Sequence, residues 1–193
     1  MGQYYRPITL FDNKLNVYNR DVDGDYTMAK LMEHSWICNP LCSCIAEKFY
    51  HRKGRLAWVG DYYDELDLLL PNGKKLTNKQ VWKRKGRGLK YKGFCIEHKY
   101  LVNHTKHICI DVDKYINKAK DKSGYVAFPL SLLTALGNGR GGGDYHDCYP
   151  NFDKVGSWAW DEISIEDEPM YDNYNIVFKE ETEKKESILK KEE

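Results

Sequence analysis

Between Leu136 and Tyr145 the chain reads Gly-Asn-Gly-Arg-Gly-Gly-Gly-Asp, with five glycines in the seven residues that follow Leu136. Such a run bends through positive φ without a Cβ penalty and can gather several backbone N–H groups on one anion. Gly137, Gly139 and Gly142 also match the spacing of the dinucleotide fingerprint. That motif needs a strand before it and a helix after it, so that a pyrophosphate can sit on the helix N-terminus. Here the preceding residues, Pro129 to Leu136, spell a short buried helix with proline in its first turn and Gly137 as its C-cap. The following residues, Asp-Tyr-His-Asp-Cys-Tyr-Pro, are poor helix formers, and no Lys-Ser or Lys-Thr completes a P-loop. Both nucleotide folds are therefore excluded. Two readings remain: a backbone nest for an anion, aided by Arg140 and bounded by Asp144, or a long surface loop.

The rest of the chain supplies short strands and a few short helices without a repeated βαβ order. Gln3 to Leu10 and Leu15 to Tyr18 predict a hairpin turning at Asp12-Asn13, with Pro7 marking an edge strand or a strand end. Further strands are expected at Arg55 to Val59, Phe94 to Val102, Ile108 to Val112, Tyr125 to Phe128, Ile163 to Ile165 and Tyr174 to Phe178. Helical spacing covers Thr27 to Trp36, and a helix should begin near Pro40. Thr77 to Arg84 and Asp113 to Lys120 suit short helices, and Val155 to Trp160 a compact packed turn. These elements predict one compact α+β domain over residues 1–178 with a mainly antiparallel sheet. Residues 179–193 are almost all Lys and Glu and predict a mobile tail.

Polar groups outside the apolar pattern are the candidate chemistry. On the Thr27 to Trp36 helix, Lys30, Glu33 and His34 share one face, a cation, a carboxylate and an imidazole able to do acid–base work or to form an ordinary solvated face. Asp61 follows the Arg55 to Val59 strand beside Gly60, placed either to point into a cleft or to cap the acidic turn at Asp64, Glu65 and Asp67. His104 sits in the expected turn between two strands. Strand alternation sets it and His107 on opposite faces, which argues against a metal pair. Asp21 to Asp25 resembles a calcium loop but fails its register, because Tyr26 and Met32 stand where Gly and Glu are required.

Net charge is only +1, yet charge is segregated. Residues 74 to 92 carry nine cations and no acid, with Trp82 and Tyr91 interleaved, an insertion spanning about 73–93. Lys83, Arg84, Lys85 and Arg87 with Trp82 and Tyr91 suit a nucleic-acid backbone, an acidic protein surface or a plain solvated insertion, and Gly86-Arg87-Gly88 should be flexible. Three of the six cysteines, Cys38, Cys42 and Cys44, lie close together, but their C-x3-C-x-C spacing is not a zinc knuckle. They read as small buried thiols, and neither a metal nor a cofactor is expected. Mean hydropathy of −0.71 and the lack of a long apolar run exclude a transmembrane helix. The N-terminus shows no apolar signal region, so a cytoplasmic protein with thiol cysteines is expected.

Several stretches together resemble a family of small uncharacterised proteins of bacteria, phages and prophages: Met1 to Tyr5, Lys30 to Trp36, Gly60-Asp61-Tyr62, Val102-Asn103-His104, Leu133 to Tyr145 and Gly156 to Trp158. One departure is Cys38, where the family pattern looks like Ile-Gly-Asn. The resemblance implies a setting, not a chemistry.

Whether the chain is an enzyme is left open by its residues. The first expectation is a site for a small phosphorylated or nucleotide-like anion, with Gly139, Arg140, Gly141, Gly142, Gly143 and His104 as ligand contacts. Glu33, His34, Asp61 and Asp144 would supply any hydrolytic acid–base chemistry. The alternative is a non-catalytic inhibitor of a host nucleic-acid-targeting defence system, anti-CRISPR-like, docking on RNA, a ribonucleoprotein or an acidic protein through the basic surface. A blander reading has the polar clusters satisfying one another inside the fold.

Overall fold

The computed structural model describes residues 2–23, 34–119, 124–147 and 151–171. Among the described residues it is an α+β domain built on an eight-stranded, mainly antiparallel sheet with four short helices. The hairpin forms as expected: β1 (Tyr5–Phe11) pairs with β2 (Lys14–Val22) around Asp12 and Asn13. Both turn residues have positive φ, 49° and 61°, the type I′ geometry that matches strand twist. β1 is not an edge, however. It lies between β2 and β3 (Gly54–Gly60) and is buried throughout. Pro7 is tolerated because the ladder to β2 begins one residue later, at Ile8.

Beyond β3 the sheet divides. Its first residues, Gly54 and Arg55, pair with β10 (Glu162–Glu166). Trp58 and Val59 pair in parallel with the two-residue β9 (Ala135–Leu136). β10 continues to β7 (Tyr100–Asn103) and β8 (Ile108–Asp111). At the other edge β6 (Arg87–Leu89) joins β2 in parallel, and the small β4 (Leu68–Leu69) and β5 (Lys75–Leu76) form a separate pair.

Apolar side chains cover both faces of the sheet. Alternation along β1 sends Tyr5 and Phe11 to one side and Ile8 to the other. The first side carries the larger core, including Trp58, α1 (Pro40–Glu47), α3 (Val112–Lys118) and α4 (Pro129–Thr134). The second is smaller, with Val17, Ala57, Val59, Leu76 and Val81 of α2 (Asn78–Lys83). α1 starts as predicted, with Pro40 at its first position and the Asn39 side chain accepting from Cys42 N. In α2, Gln80 Oε1 accepts from Thr77 N, half of a capping box.

Five expectations are corrected. The helix before the glycine run ends at Thr134, and β9 intervenes, because Ala135 and Leu136 find a backbone ladder on β3. Gly137 follows that strand with φ of +90° instead of capping a helix. Phe94 to Lys99 is not strand, since the ladder starts only at Tyr100. Tyr125 to Phe128 makes a single bridge, Trp36 to Ala127. Gly86 to Gly88 is not a loose loop: Arg87 and Gly88 belong to β6. A Cβ on Gly86 would lie 2.1 Å from Asn19 Oδ1 and 2.5 Å from an Arg6 Nη, so glycine is needed there for close packing. Lys30 and Glu33, with most of the Thr27 to Trp36 helix, lie outside the described residues, as do Tyr174 to Phe178 and the tail.

Candidate functional site

The glycine run folds back over the end of β1 and β3. Gln3 N donates to Gly142 O at 3.0 Å, and Gly2 bridges Gly142. Asn138 closes the loop by clamping one residue twice: its Oδ1 accepts from Tyr145 N at 2.8 Å and its Nδ2 donates to Tyr145 O at 3.0 Å. Inside the loop, the N–H groups of Gly139, Arg140 and Gly141 converge on one point at 2.7, 2.8 and 3.1 Å. The anion they hold is Asp144 Oδ2 of the same chain. The nest inferred from the sequence is formed, and a buried carboxylate fills it.

The other oxygen of Asp144 accepts from the Tyr5 hydroxyl at 2.9 Å, and that hydroxyl accepts from Gln3 Nε2 at 2.6 Å. Gln3 Nε2 also donates to Gly137 O. Burial, with Asp144 beside it, pushes the Tyr5 hydroxyl well above the ordinary tyrosine range, so it stays a donor. Arg140 turns away from the nest. Its guanidinium reaches Glu65 Oε2 at 2.5 Å and Tyr62 O at 3.4 Å and lies 5.0 Å from the centre of the Tyr63 ring.

The predicted acid–base residues divide. Asp61 caps the backbone beside this network, with Oδ1 accepting from Tyr4 N at 3.0 Å and its own N–H donating to Tyr4 O. Ser35, next to His34, meets the Tyr145 hydroxyl at 2.7 Å and ties that segment to the loop. The His34 ring lies 6.0 Å from Trp36. Glu33 lies outside the described residues. His104 belongs to a different cluster: its Nε2 pairs with Ser164 Oγ at 2.8 Å and its Nδ1 with the Tyr171 hydroxyl at 3.1 Å. The His104 backbone donates to Glu162, which pairs with Arg55 at the start of β3, whereas Asp61 follows the end of β3. That separation is roughly 20 Å along the strand.

The basic stretch runs from α2, which packs on the smaller core, to the β6 edge, where Leu89 and Tyr91 join the larger core. Lys79, Lys83, Arg84, Lys85, Arg87, Lys90 and Lys92 are all exposed. Among the described residues none of these seven forms an ion pair, while Lys75 pairs with Asp67. An open hollow of about 510 Å³ on α2 is lined by Thr77, Lys79, Gln80, Lys83 and Arg84. A second, of about 530 Å³, runs from Arg84 to Lys14 and Asn13. Buried Arg6 anchors this helix, donating to Val81 O at 3.1 Å and Trp82 O at 3.3 Å. Trp82 is flanked by the Arg6 and Arg20 guanidinium groups, 5.9 and 5.7 Å from its centre. Tyr91 packs on the larger core, and its N–H donates to Asp23.

Cys42 and Cys44 are buried in α1, as expected for structural thiols, but Cys38 is exposed, contrary to the expectation, because it lies ahead of the helix with its side chain on the surface. Set against protein-family models, curated proteins and solved structures, the chain matches none. No helix among the described residues is long and apolar enough to cross a membrane. The sequence singled out Asp144 and the glycines. It missed Gln3 and Tyr5, since ordinary strand residues give no signal of contacts 134 and 139 positions away, and it missed Asn138, whose clamp on Tyr145 spans seven residues of a turn-rich stretch.

Proposed function

We propose that this protein is a non-catalytic binder of polyanions that engages a single-stranded nucleic-acid backbone through α2, the β6 edge and the residues up to Lys92. The observation that carries the reading is the set of seven exposed cations at Lys79 to Lys92, unpaired among the described residues and with no acid in the stretch. Exposed charges lacking internal partners release counterions when phosphates replace them. Trp82 serves here as a support held by Arg6 and Arg20, and both arginines add to the local positive field. The resemblance to phage and prophage proteins suits an inhibitor that docks on an RNA-bearing host complex.

The glycine loop supports a small-anion site less well, because Asp144 takes its three N–H groups and Glu65 takes Arg140. Fluorescence anisotropy with labelled single-stranded RNA and DNA, measured across a salt series, tests the proposal. Binding that weakens steeply with salt, and is weakened with a shallower salt dependence in a Lys83→Gln, Arg84→Gln, Lys85→Gln, Arg87→Gln variant, is expected. No binding at low salt, or equal binding by that variant, overturns it. Calorimetry with nucleoside triphosphates gives the contrast, since heat that disappears in Arg140→Ala points to the loop instead.

A further inference from the structure

We infer that Cys38, Cys95 and Glu97 form a binding site for one zinc-class divalent ion, with a fourth position open to water. The two sulfurs come from segments 57 residues apart and lie 3.8 Å from each other. Cys95 Sγ is 3.5 Å from Glu97 Oε2, and all three ligand atoms lie within 4.8 Å of one another. The Cys38–Cys95 and Cys95–Glu97 separations match the edges of a coordination tetrahedron. Zinc–sulfur bonds of about 2.3 Å at tetrahedral angles place two thiolates about 3.8 Å apart, and a carboxylate oxygen at about 2.1 Å from the ion falls about 3.6 Å from each sulfur.

Both carriers are held before any ion arrives. Cys38 lies between Ile37, whose N–H donates to Val126 O, and Asn39, the cap of α1. Cys95 lies between Phe94, whose ring packs on Tyr50, and fully buried Ile96. Cys38 has φ of +67°, a conformation that favours glycine, so a thiol is presented where a residue without a side chain would be less strained. Two thiolates with one carboxylate suit zinc better than calcium or magnesium, which take oxygen ligands. Cys38 and Glu97 are exposed, which leaves the fourth position accessible. On binding, each S–H bond is replaced by a sulfur–metal bond and its proton passes to buffer. The principal competing use of the pair is a disulfide, which requires the sulfurs to close to about 2.05 Å and gives the carboxylate no part.

The test uses the full chain, reduced and stripped with chelator, and titrated with cobalt(II) as a spectroscopic probe. One equivalent should produce thiolate-to-cobalt charge-transfer absorption with tetrahedral visible bands, and one equivalent of zinc should displace it. Cys95→Ser and Cys38→Gly should each remove the charge-transfer band. Cys38→Gly suits the backbone at that position and keeps the test valid if the serine variant misfolds. Glu97→Gln should weaken cobalt binding by at least about tenfold while leaving the sulfur band in place at saturation. Absence of the band, or a band unchanged in Cys38→Gly and Cys95→Ser, overturns the proposal. So does quantitative Cys38–Cys95 disulfide formation in air that added zinc fails to prevent.

Discussion

Asp144 and Tyr5, 139 residues apart, meet through a 2.9 Å hydrogen bond that closes the glycine loop onto β1, an interior strand of the sheet. The carboxylate is thus saturated, with three backbone N–H groups on one oxygen and a hydroxyl on the other. A general base needs a free lone pair facing substrate. Asp144 instead occupies its own nest as an internal anion.

Asp144→Ala should therefore destabilise the fold by about 2–3 kcal/mol, since it leaves the buried Tyr5 hydroxyl and three converging N–H groups without their shared acceptor. Asp144→Asn keeps an acceptor for the N–H groups and should cost about 1–2 kcal/mol. Urea unfolding of both variants checks the order. Equal stability of Asp144→Ala and the parent chain would show that the nest is dispensable and return it to consideration as a ligand site.

The polyanion reading makes a prediction about slope as well as affinity. Each lost phosphate contact lowers the salt dependence of log K by about 0.7 on a single strand. Replacing Lys83, Arg84, Lys85 and Arg87 by glutamine should reduce the slope by roughly 3, while Lys75→Gln, whose charge is paired with Asp67, should change it little. Anisotropy titrations at four or more salt concentrations give both slopes. Matching slopes for the two variants would show that charge placement on this face does not matter.

Two histidines should pull stability in opposite directions with pH. His51 lies between Glu166 Oε2 at 2.9 Å and Asp167 Oδ2 at 3.1 Å. The hydrogen bond to Glu166, with the Asp167 charge, raises its proton affinity above the ordinary value of 6.5. The folded state then holds more protons than the unfolded one, so this contribution is present below pH 6.5 and is lost as pH rises through the folded value. His104 is lowered, first by burial and then by Lys53, with Glu162 and Glu166 opposing. Its contribution is present above pH 6.5 and is lost as pH falls through its folded value. Against the parent chain, His51→Gln should show a stability gap that narrows toward pH 8, and His104→Gln one that narrows toward pH 5. Imidazole NMR titrations assign each directly. Parallel slopes would contradict the two environments.

Much of the fold was legible in local chemistry. Asp12-Asn13 between β-forming runs could turn only one way, and Asn39-Pro40 announced a helix start. What was not legible depended on partners distant in sequence. Ala135 and Leu136 read as helix because their spacing continues that of Leu130 to Leu133, yet β3 offers them a parallel ladder. Pro7 read as an edge because proline lacks a donor, but the β2 ladder stops just short of it. In the glycine loop the spacing showed that N–H groups could converge, and Asp144 was noticed as a carboxylate at the exit. That it enters the nest follows from its three-to-five-residue separation from Gly139, Arg140 and Gly141, an Asx-type geometry that glycine-rich sequence makes possible but does not impose.

Two glycines of that loop separate close packing from backbone conformation. A Cβ on Gly141 would lie 2.7 Å from Gln3 Cβ and 2.8 Å from Gln3 N. Gln3 cannot retreat without breaking its N–H bond to Gly142 O and the contact of its side chain with Tyr5. Gly139 has φ of +90°, and a methyl group added there would meet nothing within 4 Å, so alanine at that position carries conformational cost alone. Gly141→Ala should lose about 2–3 kcal/mol and Gly139→Ala about 1 kcal/mol. Thermal and urea unfolding of the two variants, with the Tyr5→Phe variant as a reference for loss of the Asp144 bond, measure the difference. A loop docked on Gln3 requires Gly141→Ala to be the worse of the two. If Gly139→Ala were worse, or both were neutral, the loop would not be held against β1 and the self-filled nest would lose its structural role.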